Sequence, residues 1–286
     1  MTGIARECGS LPSRGGRRRP PLGQHFLVDA TTIERIVEAL GVGAGDLVLE
    51  IGPGRGALTA ALARRGVRVA AIEIDARLVE RLGAQFDRAL VRVLQADVLT
   101  HDLQRVAELF DDVSSGGLVV VSNLPYAVSK PIAQKLVAER GRIARAVLMF
   151  QREVAERVRA APGSRAYGPL AVLCGQAYTI ERLFDVPPRA FRPPPAVASS
   201  VTRWIPRSGD AALDPRLEPA LRACLAACFG RRRQTLRNNL RAALGSAERA
   251  DALLGLAGLD PGERAERIDP SGFLRLARAF GAAGLL

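Results

Sequence analysis

Val48-Leu49-Glu50-Ile51-Gly52-Pro53-Gly54-Arg55-Gly56 decides the fold. Leu47 to Ile51 is a short apolar run of the kind that forms a strand buried on both faces of a parallel sheet. It runs straight into Gly52, Gly54 and Gly56, and Ala57 to Ala63 then supplies good helix formers. A strand, a glycine-rich turn and a helix open a nucleotide-binding α/β domain. Side chains in such a turn would block close approach of backbone to ligand, and Pro53 stiffens it by fixing φ.

The spacing argues against a dinucleotide. The pyrophosphate fingerprint is G-x-G-x-x-G, whereas these glycines fall as G-x-G-x-G, with Glu50 two residues before the first. A carboxylate repels a pyrophosphate and favours a cation. S-adenosylmethionine meets that demand: it is a nucleoside without phosphate that carries an ammonium and a sulfonium. Val67 to Ile72 reads as a second strand ending at Glu73, where an acid can accept from both ribose hydroxyls. A glycine turn alone occurs in many α/β enzymes; Glu50 and Glu73 together select S-adenosylmethionine.

Val91 to Leu94 reads as a third strand with Asp97 just beyond it. Asp97 serves equally as a turn residue or as an acceptor for the cofactor's adenine amino group. Leu118 to Val121 is a fourth strand, leading into Asn123-Leu124-Pro125-Tyr126. An exocyclic amine on a base is a poor nucleophile because its lone pair is delocalised into the ring. Two acceptors aimed at its hydrogens favour a pyramidal nitrogen whose lone pair points at the methyl group. The Asn123 side-chain oxygen and the Leu124 carbonyl can be those acceptors, and Tyr126 offers a face on which the base can stack. Catalysis is then positioning plus electrostatics.

The 286 residues suffice for one large domain and a smaller one, and the apolar fraction of 48% supports a real core. A net charge of +12 points to a polyanionic partner. No run of about 18 apolar residues is present, so no membrane-spanning helix is expected. Residues 1–21, with Arg14, Arg17, Arg18 and Arg19 among Gly, Ser and Pro, read as a disordered basic arm. They lack the apolar segment of a secretory signal; an organelle transit peptide is the alternative. Neither His25 nor His101 lies near Cys8, Cys174, Cys224 or Cys228 in sequence. Free thiols in a reducing, cytoplasmic setting and no metal are expected.

Further on, Asp29 is a good N-cap for a helix carrying Ile33, Ile36, Val37 and Leu40 on one face. Ala146 to Phe150 and Val201 to Ile205 read as strands, and Phe191 precedes a rigid proline turn. Residues 22–206 thus form one domain, and a polar linker leads to a helical domain over 207–286. Its helices are expected over Arg216 to Cys228, Arg231 to Leu244, Ala247 to Leu254 and Ser271 to Phe280. Arg231, Arg232, Arg233 and Arg237 make a dense basic surface suited to phosphates.

An ordered set of motifs carries a family resemblance: Gly23-Gln24-His25-Phe26-Leu27, Glu50-Ile51-Gly52-Pro53-Gly54, Glu73, Asp97, Asn123-Leu124-Pro125-Tyr126, Gln151-Arg152-Glu153-Val154-Ala155-Glu156-Arg157, Phe191-Arg192-Pro193-Pro194-Pro195 and Phe229 to Asn238. From Gly23 to about Phe280 the chain resembles the small-subunit ribosomal RNA adenine dimethyltransferases. The resemblance implies an α/β, Rossmann-like S-adenosylmethionine-dependent methyltransferase sheet with a small all-α C-terminal domain. It implies dimethylation of N6 of two adjacent adenines near the 3′ end of small-subunit rRNA; the expected partner is the small-subunit precursor, and a monomer is the default. Cofactor contacts would fall on His25, Leu27, Gly52, Glu73, Asp97 and Asn123, with the base at Asn123, Leu124 and Tyr126. Phe191 is a candidate second stacking face. Two departures stand out: His25, where bacterial members usually have Asn, and Ala198-Ser199-Ser200, where Asp-Ser is usual. The rival is the related erythromycin-resistance methyltransferases of large-subunit rRNA, which usually have Ile in place of Leu124. A non-catalytic RNA-binding assembly factor is the reading from another class.

Overall fold

The structure, a computed structural model, describes residues 25–110, 117–209 and 212–284. The expected basic arm, Gly23, Gln24 and Cys8 lie outside them. The chain runs β1 (Phe26–Leu27), α1 (Ala30–Leu40), β2 (Leu47–Ile51), α2 (Ala57–Arg64), β3 (Arg68–Glu73), α3 (Ala76–Gln85), β4 (Val91–Gln95), α4 (Leu103–Ala107) and β5 (Leu118–Asn123). It continues through α5 (Ser129–Ala138), β6 (Ile143–Gln151), α6 (Arg152–Val158), α7 (Pro169–Ala177), β7 (Tyr178–Val186), β8 (Phe191–Arg192) and β9 (Ser199–Pro206). Four helices follow: α8 (Glu218–Cys228), α9 (Leu236–Leu244), α10 (Ala247–Ala257) and α11 (Pro270–Ala282).

Seven strands form one sheet in the order β4-β3-β2-β5-β6-β9-β7. The first five are parallel, while β9 runs antiparallel to both β6 and β7. The strand order reverses between β2 and β5, so their carboxyl ends frame the crevice in which open α/β sheets bind ligands.

Strand periodicity sends alternate side chains to two cores. Val48, Val121, Val147 and Met149 face one core with Ile36, Val37 and Leu40 of α1 and Leu58 and Leu62 of α2. Leu49, Ile51, Val120 and Leu148 face the other with Ile132 and Leu136 of α5. The same core continues without a break into Leu221, Leu225, Leu240, Leu254, Phe273 and Phe280 of the C-terminal helices. Those helices are therefore docked on the sheet's α5–α7 face. Arg140 holds the junction: its buried guanidinium pairs with Glu218 and donates to the Leu213 carbonyl at 2.7 Å. Removing either charge would strand the other, a loss of about 3–5 kcal/mol. Trp204 is fully buried, 5.2 Å from the Tyr178 ring and 5.9 Å from Phe150.

Helix starts follow their capping residues. Asp29, Asp75, Asp102, Thr235, Ser246 and Asp269 each accept a main-chain N–H of the first turn. Thr235 explains one departure from expectation. The helix expected from Arg231 begins at Leu236, and Arg231 to Gln234 form a turn ahead of it.

Candidate active site

A cavity of about 270 Å³ opens at the carboxyl ends of β2, β3, β4 and β5. The glycine turn makes its floor. Gly52, Gly54 and Gly56 have φ of 67°, 58° and 81°, the left-handed region that other residues avoid. At Gly56 a Cβ would also stand 2.7 Å from Leu82 of α3, so the turn can pack there only as glycine.

Glu73 organises the cofactor side. Its Oε2 accepts from the Gly54 N–H at 3.1 Å, and Oε1 accepts from Ile74 at 2.9 Å and Asp75 at 3.1 Å. Two acceptor positions on Oε1 are thereby filled, and Oε2 keeps one for a ligand hydroxyl. Glu50 is 2% exposed and accepts from the Thr59 hydroxyl at 2.6 Å. Burial pushes its carboxyl up to about 7, against the Thr59 hydrogen bond and with help from the Glu73 charge. Asp97 lines the cavity and also accepts from the Leu99 N–H at 2.9 Å, so it does serve its turn.

Two further cavity residues escaped the sequence reading. Ile74 is 57% exposed and Leu99 36%, and both line the cavity beside the two acids. Large apolar side chains left open to solvent at a strand end suit the faces of a flat ring. Their signal in the sequence was position: each follows by one or two residues an acid at or just past the end of a strand. Acids for hydroxyls and a cation, apolar walls for a purine and no arginine aimed at a phosphate fit S-adenosylmethionine. The one arginine on the lining among the described residues, Arg55, rests its guanidinium 4.3 Å from the centroid of the Phe26 ring.

The base side is assembled from three distant segments. Asn123 ends β5, and its side-chain amide donates to the His25 carbonyl at 3.3 Å. That contact commits one N–H of the amide, and the Asn123 oxygen accepts no hydrogen bond among the described residues. Leu124, 1% exposed, donates its N–H to the Met149 carbonyl at 3.2 Å. Tyr126 starts a short 3-10 turn with its ring 5.3 Å from that of His25, and Nδ1 of His25 donates to the Pro193 carbonyl at 2.8 Å. His25 therefore contributes a carbonyl and a ring, and the ring is the part that the departure from Asn changes. Leu27 lines the same cavity from β1.

Phe191 is not brought to the cavity. It is fully buried in the core of the α1–α2 face, opposite Leu27 in the antiparallel pair of β1 and β8. No face is open to a second stacked base; Phe191 instead supports Leu27 from beneath. The basic residues lie elsewhere: Arg231, Arg232 and Arg233 on the turn between α8 and α9, and Arg237 in the first turn of α9. Asn239, 3% exposed, clamps that turn by accepting from the Arg231 N–H at 2.9 Å and donating to the carbonyls of Arg231 and Gln234. Arg237 is paired with Asp251 at 2.6 Å, and Arg232 donates to the Arg165 carbonyl at 2.6 Å. Arg231 and Arg233 are exposed and have no carboxylate partner among the described residues.

Comparison with known proteins places this geometry. A relative from Acidobacterium capsulatum, the ribosomal RNA small subunit methyltransferase A, is 42% identical over 268 residues, 93% of this chain and 92% of that protein. Among solved structures, a dimethyladenosine transferase from Plasmodium falciparum is similar at a TM-score of 0.71 and 25% identity, over 91% of this chain and 98% of that one. The 23S rRNA methyltransferase ErmE is similar at a TM-score of 0.62 and 26% identity, over 90% of this chain and 99% of that one. The model of the ribosomal RNA adenine dimethylases matches residues 15–280, and the chain belongs to that family.

Proposed function

We propose that the protein transfers methyl groups to N6 of two adjacent adenines near the 3′ end of small-subunit rRNA. It acts as a cytoplasmic monomer on a precursor of the small ribosomal subunit. The observation that carries the reading is the Asn123 amide, whose nitrogen donates to the His25 carbonyl in the cavity that Tyr126 also lines. S-adenosylmethionine, when bound, supplies an electrophilic methyl group on a sulfonium. Glu73, Asp97, Ile74 and Leu99 would hold its nucleoside half; Gly52, Leu27 and Glu50 would flank its cationic half.

The chain's own groups do the rest. Tyr126 stacks the extruded adenine, a contribution of about 1–3 kcal/mol per base. The Asn123 oxygen and the Leu124 carbonyl accept from N6, and those hydrogen bonds strengthen as N6 becomes tetrahedral and positive. No base is needed before attack, because the proton leaves a nitrogen that is acidic only after transfer. Residues 22–206 carry this chemistry, and residues 207–286 grip the RNA through the turn that bears Arg231 and Arg233.

The likeness to ErmE gives the second reading, an adenine of the large subunit. Leu124 and the Gln151 to Arg157 segment favour the small one. Incubation of separated unmethylated subunits with labelled S-adenosylmethionine tests the choice. Label should enter the small subunit; label confined to the large one would replace this reading with the second.

A further inference from the structure

Tyr126 starts a short 3-10 turn and is part-buried, yet its side chain is held from outside that turn. Its hydroxyl stands 3.1 Å from Oγ of Ser199, the first residue of β9. Ser199 is fully buried, and its Oγ has no other hydrogen-bond partner among the described residues. β9 is paired on both sides, with Gln151 of β6 and Val186 of β7 opposite Ser199. The hydroxyl thus sits on one of the most constrained parts of the sheet. The main chain of Tyr126 is fixed separately, since its carbonyl accepts from the Ser129 hydroxyl at 3.0 Å.

We infer that Ser199 is a positioning residue for methyl transfer, which docks the Tyr126 hydroxyl and so sets the plane on which the target adenine stacks. A part-exposed tyrosine otherwise swings about two side-chain torsions, and each swing carries the stacked base away from the Asn123 oxygen. Near-attack geometry tolerates little of that. The inference gives the family's Tyr hydroxyl a task that stacking alone does not need, and it rests on the adenine-methylating reading above. Ala198 beside it donates no side chain to this contact, so the departure there leaves the anchor intact.

The test uses the full chain labelled with ¹³C on tyrosine rings, in which Tyr167 and Tyr178 serve as internal references. Both are 1% exposed and donate to main-chain carbonyls, of Ile268 and Leu136. In Ser199→Ala the ring order parameter of Tyr126 should fall while those of Tyr167 and Tyr178 hold. Single-turnover transfer should slow about three- to tenfold, the share of one hydrogen bond, at unchanged RNA affinity. Tyr126→Phe should slow it equally, and the double variant should be no slower than either single one. An unmoved Tyr126 ring, loss of order in all three rings, or multiplying effects in the double variant would each overturn the inference. A loosened Tyr126 ring with wild-type transfer would do the same. Loosening in a protein whose wild type methylates no rRNA would leave the anchor standing and sink the functional reading instead.

Discussion

The side chain of Asn123 and the main chain of His25, 98 residues apart, share one hydrogen bond at 3.3 Å. One N–H of the amide is spent on the protein, and that contact fixes which way the amide is turned, leaving the oxygen for the proposed contact with the base. Asn123→Asp keeps an acceptor but loses that donor and sets a carboxylate against the His25 carbonyl. Its single-turnover transfer should therefore drop by roughly tenfold or more, although an oxygen acceptor is still present at the site. Wild-type transfer by Asn123→Asp would show that the orientation of the amide does not matter.

Glu73 holds three main-chain N–H groups besides its proposed ribose contact. Glu73→Ala removes a charged acceptor, worth about 1.5–3 kcal/mol, and also frees the Gly54 end of the turn. Calorimetric titration should show S-adenosylmethionine binding weakened by at least about tenfold. Unchanged affinity would remove Glu73 from the site.

Glu50 makes the protein sensitive to pH in a stated window. Burial, foremost, raises its carboxyl from 4.5 to about 7. Between those values the folded state keeps a proton that the unfolded chain has released. The contribution of Glu50 to stability is thus complete below about 4.5 and is lost as pH climbs to about 7, at no more than about 1.4 kcal/mol per pH unit. Denaturant unfolding of the ligand-free protein should show that slope, and Glu50→Gln should flatten it. A cationic ligand favours the ionised carboxylate, so S-adenosylmethionine affinity should rise through pH 7 in the wild type and not in Glu50→Gln. The same pH slope in both proteins would place the titrating group elsewhere.

The cofactor half of the site was legible in the sequence because each part of it is local. A strand end and a glycine or acid fall within a few positions, as at Glu50 to Gly54 and at Ile72 to Glu73, although Ile74 and Leu99 beside those acids were not picked out. The base half depends on pairings that no local pattern announces. His25 reaches Asn123 only because Phe26 and Leu27 pair with Arg192 and Phe191, two residues a side. The same ladder buries Phe191, which an aromatic beside prolines had suggested as a stacking face. Ser199 arrives from a strand 73 residues beyond Tyr126. β7 was not picked out, since Thr179, Glu181 and Arg182 on an exposed edge dilute its apolar signal. The basic run was legible as charge but not as shape: Thr235 caps the helix late and leaves Arg231, Arg232 and Arg233 on a turn, with only Arg237 of the four on the helix.

That turn separates four arginines that looked alike. Arg231 and Arg233 are available to phosphates, whereas Arg237 must first leave Asp251. Arg231→Ala and Arg233→Ala should each lower the salt slope of RNA binding by about 0.7–0.9. Arg237→Ala should change it less, with part of its loss refunded by the released pair. Equal slopes for wild type and the Arg231, Arg233 double variant would mark the turn as a solvated surface.

The central claim is that Asn123 accelerates transfer and does not merely bind RNA. Single-turnover methylation of assembled small subunits by Asn123→Ala, with RNA affinity measured separately, tests it most directly. The account predicts a rate lower by roughly 10²-fold, the loss expected for one transition-state hydrogen bond, at near wild-type affinity. Transfer at the wild-type rate, or a loss confined to affinity, would contradict it.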